Sequence, residues 1–305
     1  MFKTIIIGAG PSGLSAGIFL ARDKIPVLII EKFAVGGNML LTEKIENYPG
    51  FPNGITGYEL AKNMEEQFLK FGGKIKEGDV NGIELKDNKK IVKIKNGEIL
   101  ECDVLIIATG SSRKKLGVKG EEEFTGKGVS YCAICDGPFY KEKEVAVVGG
   151  GDSALEEAIH LTKFAKTVYL IHRRDNFRAK KYLQDEVMKN EKIKILFSKT
   201  IKEIKGKETV EKIVVEDLKQ NKIEELNIRG IFISVGFKPN TDFLSIDIKK
   251  DEEGFIIVNE KMETNIPGIF ACGDVIKKQL YQVITACSEG IIAGYFAEKY
   301  LDSIF

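Results

Sequence analysis

Two stretches of this chain share one plan. KTIIIGAGPSGLSAGIFLARDKIPVLIIEK (residues 3–32) and KEVAVVGGGDSALEEAIHLTKFAKTVYLIHRR (residues 143–174) each read as a short apolar strand, a glycine turn, a helix with an apolar face, and a second apolar strand. Continuous apolar strands of this length are buried on both faces and pair in parallel, and a parallel pair needs a crossover, usually a helix. Each stretch is therefore a βαβ unit. Two such units constrain the fold to α/β with two Rossmann-like dinucleotide-binding domains, and imply two nucleotide pockets. The length of 305 residues also exceeds what one hydrophobic core usually serves.

Between the units, GGKIKEGDVNGIELKDNKKIVKIKNGEILECDVLIIATGSS alternates polar and apolar residues around Asn-Gly and Asp-Asn turns, which reads as a β-meander feeding a buried strand. After the second unit, IKEIKGKETVEKIVVEDLKQNKIEELNIRGIFISVG repeats that arrangement. Gly, Pro and charge interrupt the apolar segments at GSSRKKLGVKGEEEF and SVGFKPNTDF, the candidate hinges.

Gly8, Gly10 and Gly13 of GAGPSG follow a strand and open a helix, the context the dinucleotide fingerprint requires. The first glycine permits the tight turn, the second lets the pyrophosphate approach the backbone, and the third lets helix pack on strand. A purely structural turn is the bland alternative, but Glu31 ends the next strand, where an acid accepts from a ribose hydroxyl. The second fingerprint is Gly149, Gly151 and Ala154 of GGGDSA. His172 falls as far beyond Gly149 as Glu31 falls beyond Gly8, and Arg173, Arg174 and Arg178 follow it. Arginines there suit a phosphate on the ribose, through charge-assisted and often bidentate bonds. Their bland reading is a solvated basic strand end. The contrast assigns the second pocket to NADPH and the first to a different adenine dinucleotide. FAD is the expected one, since a hydride donor needs an acceptor. LIIATG and IFACGDV each carry a buried strand into a glycine, and Asp274 in the latter suits a ribityl hydroxyl or the flavin phosphate region.

Lysine plus arginine, 46, nearly cancels aspartate plus glutamate, 45, so no global field draws in nucleic acid or anionic membrane. No apolar run approaches the roughly 18 residues of a membrane span, and the chain opens directly on a strand, so a cytoplasmic protein is expected. Disulfides do not persist there as staples. Three of the five cysteines, Cys102, Cys272 and Cys287, sit alone in apolar settings and read as core thiols. The other two, Cys132 and Cys135 in YCAICDG, form a CxxC. A four-cysteine zinc site needs a second close pair, which is absent, and His160 and His172 belong to the second βαβ unit, so zinc is disfavoured. A reversible disulfide is the favoured reading, with Asp136 next in sequence as an acid available to a departing thiolate.

Taken together, GAGPSGLSAGIFLAR, TEKIENYPGFPNGITGYELAKNM, ATGSS, YCAICDGPFY, VVGGGDSALEEAIHL, HRRDNFRA, GFKPNT and GIFACGDV resemble, in order and spacing, the bacterial low-molecular-weight thioredoxin reductases, members of the class II pyridine nucleotide-disulfide oxidoreductases. The resemblance covers nearly the whole chain. It implies a three-layer ββα architecture with the second domain inserted in the first: an FAD-binding domain over 1–113 and 242–305, and an NADPH-binding domain with the redox CxxC over 114–241. Implied FAD contacts are Gly8, Gly10, Pro11, Ser12, Gly13, Glu31, Lys32, Gly37, Asn38, Thr42, Asn47, Ala108, Thr109, Gly110, Gly273, Asp274, Gln282 and Val283. Implied NADPH contacts are Gly149, Gly151, Asp152, Ser153, Ala154, His172, Arg173, Arg174 and Arg178. In the family the second cysteine of the motif lies against the flavin, so Cys135 receives electrons, Cys132 attacks the disulfide of thioredoxin, and Asp136 is the acid. The family alternates NADPH and the disulfide at one flavin by rotating the inserted domain, and its members are homodimers.

The chain departs from the pattern at three positions. Asn38 stands where the family has glutamine, Tyr281 where many members have arginine before Gln282, and Pro138 where some have an aromatic residue. Competing readings are the flavoprotein of a peroxide-reducing system serving another thioredoxin-like partner, a ferredoxin-fed variant, and a non-enzymatic nucleotide sensor. The first usually carries an extra N-terminal thioredoxin-fold region. The second lacks the GGGDSA and HRRDNFR motifs found here, and the Cys-Asp adjacency argues against the third.

Overall fold

The computed structural model describes residues 2–42 and 44–304. The chain divides into two compact units, one made of the residues up to Ser112 and from Lys238 onward, the other of Arg113–Phe237. The second is thus an insertion in the first, and the chain passes between them only twice.

The discontinuous unit is built on a five-stranded parallel sheet in the order Ile269–Ala271, Val104–Ile107, Thr4–Ile7, Val27–Glu31, Lys74–Glu77. Its central strands are buried throughout because both faces are covered. On one face Ile6, Ile29 and Ile106 pack under the helices Pro11–Arg22, Gly57–Lys70 and Val283–Ile304, through Leu14, Leu20, Leu60, Phe68 and Ala293. On the other, Ile5, Ile7, Leu28, Ile30, Leu105 and Ile107 meet Val80, Ile83, Val92 and Ile94 of the antiparallel strands Val80–Lys86, Lys89–Ile94 and Ile99–Cys102. The strand period of two sorts successive isoleucines to opposite faces. Truncating one, such as the fully buried Ile106 to alanine, costs about 2–5 kcal/mol.

The inserted unit repeats this layering. Its parallel sheet runs Ile193–Phe197, Thr167–His172, Glu144–Val148, Gly230–Ile233, Val129–Ser130. Val145, Val147, Val168, Leu170 and Phe232 face the helices Asp152–Leu161 and Lys181–Lys189. Ala146, Val148, Ile171, Ile231 and Ile233 face the antiparallel strands Lys199–Gly206 and Val210–Asp217. Helices, parallel sheet and antiparallel sheet make three layers in each unit, the α/β architecture that the duplicated plan implies. Among the described residues no helix is long and apolar enough to cross a membrane.

The C-terminal return places the implied flavin contacts of the first unit. Its long helix lies so close to the first helix that a Cβ on Gly290 would stand 2.2 Å from the Ser12 carbonyl oxygen. The turn after Ile269–Ala271 arrives beside it, where a Cβ on Gly273 would meet Ser12 Oγ at 2.3 Å. Residues far apart in sequence thereby converge on one glycine turn.

Candidate active site

The two glycine turns are built alike. Gly8 adopts φ +105°, and a Cβ there would lie 2.4 Å from the Ala108 carbonyl oxygen, so only glycine fits. A Cβ on Gly10, by contrast, would meet nothing within 4 Å, and Gly151 is open in the same way. The helices that follow, starting at Pro11 and Asp152, have no side-chain cap, whereas Gly57–Lys70 carries a complete capping box from Thr56 and Glu59. Each turn thus offers open space beside uncapped helix amides, which fits a pyrophosphate.

Around the first turn the carboxylate of Glu31 is already engaged. Oε2 accepts from the Ala9 amide at 2.6 Å and Oε1 from the Phe33 amide at 3.0 Å. Lys32 pairs with Asp79 at 3.2 Å. Gly37 lies against Gly10, with 3.4 Å between a notional Cβ and the Gly10 Cα. Asn38 donates from Nδ2 to the Ser111 carbonyl at 2.8 Å, and Thr42 accepts the Gly57 amide through its carbonyl at 3.1 Å. Ala108 and Ser12 are buried, and Gly110 takes φ +65°. Thr109 exchanges two bonds of 2.8 Å with Asn240, from its hydroxyl to the Asn240 carbonyl and from Asn240 Nδ2 to its own carbonyl. Asn47 Nδ2 donates to Gln282 Oε1 at 2.8 Å, and Gln282 directly precedes the helix that opens at Val283. Asp274 pairs with the nearly buried Lys278 at 2.9 Å, and Lys278 also holds Glu289 at 3.0 Å, which in turn accepts the Gly273 amide. Tyr281 packs over that lysine, 5.3 Å from ring centroid to Nζ.

In the inserted unit the basic segment folds onto the second turn. The Arg178 amide donates to the Gly150 carbonyl at 2.8 Å, and the Lys180 amide to Asp152 Oδ1 at 2.8 Å. Arg173, Arg174 and Arg178 are exposed, and none takes part in the ion pairs among the described residues. Ser153 is exposed, while the Ala154 methyl fills the space against Gly149, whose notional Cβ would lie 2.5 Å from it. His172 is buried beneath the turn: a Cβ on Gly150 would be 2.2 Å from its Cε1, and its ring packs on Phe177 at 5.6 Å. Burial, with the neighbouring arginines adding to it, holds His172 below the usual imidazole range, so the ring is neutral at pH 7.

Cys132 and Cys135 are disulfide-bonded, with Cα atoms 5.3 Å apart. Cys132 caps the single helical turn Ala133–Asp136, inside which Cys135 lies, and Cys132 Sγ accepts the Cys135 amide at 3.2 Å. Both cysteines and Asp136 are half-buried. Asp136 Oδ2 accepts from Ser130 Oγ at 2.6 Å, and the same Oγ accepts the Cys132 amide at 3.1 Å. Cys102, Cys272 and Cys287 are buried thiols; burial pushes the first two up to about 12 and raises the third. Among the described residues no group of His, Cys, Asp and Glu gathers as a metal site.

Three partners escape a reading of the sequence. Lys278 has a local signal, four residues beyond Asp274, the spacing of a helical ion pair. Ser130 has a weak one, a hydroxyl two residues before the first cysteine, where serines commonly bond nearby backbone. Asn240 has none, because its bond to Thr109 spans 131 residues.

The family model for pyridine nucleotide-disulphide oxidoreductases matches residues 2–290. A thioredoxin reductase of Listeria monocytogenes is 43% identical over 309 residues, covering 100% of this chain and 95% of that protein. One of Peptoclostridium litorale is 40% identical over 311 residues, covering 100% and 98%. The crystal structure of thioredoxin reductase from Streptococcus pyogenes superposes with a TM-score of 0.93 at 45% identity, covering 99% of each chain.

Proposed function

This chain belongs to the pyridine nucleotide-disulphide oxidoreductase family, and from that premise we propose that it works as a thioredoxin reductase. It is an NADPH-dependent flavoprotein that reduces the disulfide of thioredoxin, with FAD as its resident cofactor. The observation that carries the reading is the Cys132–Cys135 disulfide, set in the same unit as a glycine turn to which the Arg178 backbone bonds, with Arg173, Arg174 and Arg178 exposed and outside the ion pairs among the described residues.

NADPH and FAD, when bound, would supply a hydride donor and acceptor whose electron pair is passed on to the disulfide. The chain's own residues bind, orient and exchange. The Gly8–Gly13 turn and the helix from Pro11 hold the FAD pyrophosphate, Glu31 the adenosine ribose, and Asp274, Asn47 and Gln282 the flavin end, with Lys32, Gly37, Asn38, Thr42, Ala108, Thr109, Gly110, Gly273 and Val283 around them. The Gly149–Ala154 turn holds the pyrophosphate of NADPH, and Arg173, Arg174 and Arg178 its ribose phosphate; this is supported by their exposure and lack of ion-pair partners.

Cys135 is the sulfur that receives the electron pair as the disulfide is cleaved, and Cys132 the one presented to thioredoxin. The Cys132 thiolate attacks one sulfur of the thioredoxin disulfide, forming a mixed disulfide and releasing one thioredoxin thiolate. Cys135 then attacks Cys132 Sγ, re-forming the intramolecular bond and releasing the second. The two protons given up by Cys132 and Cys135 end on the two thioredoxin thiols. Asp136 carries one of them between a nucleophile and a leaving group, with no net gain.

The same reading makes the protein a cytoplasmic homodimer that engages neither nucleic acid nor membrane, which its near-zero net charge supports. Anaerobic titration of the yellow protein tests the assignment of the second pocket. NADPH should bleach the flavin at much lower concentration than NADH, and addition of oxidised thioredoxin should restore the colour. Bleaching by NADPH without recovery on thioredoxin would point to a different thioredoxin-like partner.

A further inference from the structure

We propose that Ser130 is the positioning residue that aims Asp136 for proton transfer. The inference rests on the reading of Asp136 as the acid of the exchange.

Ser130 ends the edge strand Val129–Ser130, whose pairing of Val129 with Ile231 and of Ser130 with Phe232 fixes its backbone. It is 4% exposed, so its hydroxyl is largely shielded from bulk water. That hydroxyl accepts the Cys132 amide at 3.1 Å and stands 2.6 Å from Asp136 Oδ2, with the Cys132 carbonyl more distant at 3.5 Å. An oxygen that accepts one N–H has a single hydrogen to give, and the short contact sends it to the carboxylate. One side chain with one χ angle thus links the backbone of the first cysteine to the carboxyl group beyond the second. Asp136 Oδ1 makes no hydrogen bond among the described residues, so Ser130 is the one side chain that holds this carboxyl group. Tyr140 feels the Asp136 charge as well: burial, and then that carboxylate, push it up to about 12, so it stays a neutral phenol.

Holding Oδ2 selects the rotamer of Asp136. Without the hydroxyl the carboxylate is free to turn to solvent, and the Cys132 amide loses its acceptor. The consequence falls on the exchange with thioredoxin and not on the reduction of flavin by NADPH.

The test compares Ser130→Ala, Ser130→Thr and Asp136→Asn in the flavin-loaded full chain, by stopped-flow bleaching with NADPH and by steady-state turnover of thioredoxin. Ser130→Ala should lose about 10- to 100-fold in kcat with thioredoxin, with KM for thioredoxin and the bleaching rate unchanged. Ser130→Thr, which keeps the hydroxyl, should recover to within about threefold. Should the alanine variant fail to retain flavin, Ser130→Gly removes the same hydroxyl and is read in its place. A Ser130→Ala enzyme with full kcat beside a crippled Asp136→Asn would overturn the role of Ser130 and leave that of Asp136 standing. Full activity in Asp136→Asn would overturn the acid reading itself. Equal loss in the alanine and threonine variants would also overturn the proposal, since the hydroxyl survives in one of them.

Discussion

The carboxylate of Glu31 accepts the amide of Ala9 at 2.6 Å, across 22 residues of chain. The end of the second strand is thereby tied to the glycine turn that follows the first. Glu31 also accepts the Phe33 amide, and a carboxylate has about four acceptor positions, so two remain for the vicinal hydroxyls of a ribose. Glu31→Gln replaces one acceptor oxygen by an NH2 group and sets donor against donor at either the Ala9 or the Phe33 amide. FAD affinity, read from free flavin fluorescence after ultrafiltration, should fall about 10-fold or more. Unchanged affinity would separate Glu31 from the flavin.

The arginines of the inserted unit make a prediction about coenzyme choice. Each charge-assisted bond to a phosphate contributes about 1.5–3 kcal/mol, so Arg173→Gln or Arg174→Gln should raise KM for NADPH about 10- to 100-fold and leave KM for NADH nearly unchanged. Equal changes for the two coenzymes would mean that these side chains do not read the ribose phosphate.

Thiol reactivity should divide the five cysteines two against three. Cys102 and Cys272, pushed up to about 12 by burial, and Cys287, raised by the same cause, hold their protons at pH 8 and lack solvent access. After reduction by NADPH, iodoacetamide at pH 8 should modify Cys132 and Cys135 and spare the other three, as read by mass spectrometry of the intact protein and of its peptides. Labelling of Cys287 at a comparable rate would contradict the packing around Tyr48, whose hydroxyl meets its sulfur at 3.8 Å.

Glu157 carries a pH dependence of stability. Burial raises its carboxyl to about 8, against the opposing pull of Arg113 and of a bond from Ser234. The unfolded chain ionises near 4.5, so folding retains a proton between about 4.5 and 8, and stability falls as pH rises through that window. Glu157→Gln, neutral at every pH, should match the parent near pH 4.5 and exceed it by up to several kcal/mol above pH 8, seen as a widening gap in unfolding midpoints. A gap that does not change with pH would show that Glu157 ionises freely in the folded protein.

The duplicated strand–turn–helix plan is legible in the sequence because glycine spacing and apolar periodicity are local signals. The meanders are legible for the same reason. The order of strands in each sheet is not, since the pairing of Ile269–Ala271 with Val104–Ile107 is set by packing across more than half the chain. The cysteine pair announces itself, yet its hydroxyl neighbour does not: nothing in GVSYCAICDG says that Ser130 faces Asp136 rather than solvent until Phe232 fixes its strand. His172 shows the same limit. Its place in the repeat marks it as the counterpart of Glu31, while its burial beneath Gly150 follows from a tertiary contact.

The most direct test of the electron path is turnover of a small aromatic disulfide with NADPH, with and without thioredoxin, by the parent protein and by Cys135→Ser. Turnover that requires thioredoxin and is abolished in Cys135→Ser, while NADPH still bleaches the flavin of that variant, is the predicted result. Thioredoxin-dependent turnover that survives in Cys135→Ser would contradict the assigned path through the Cys132–Cys135 disulfide.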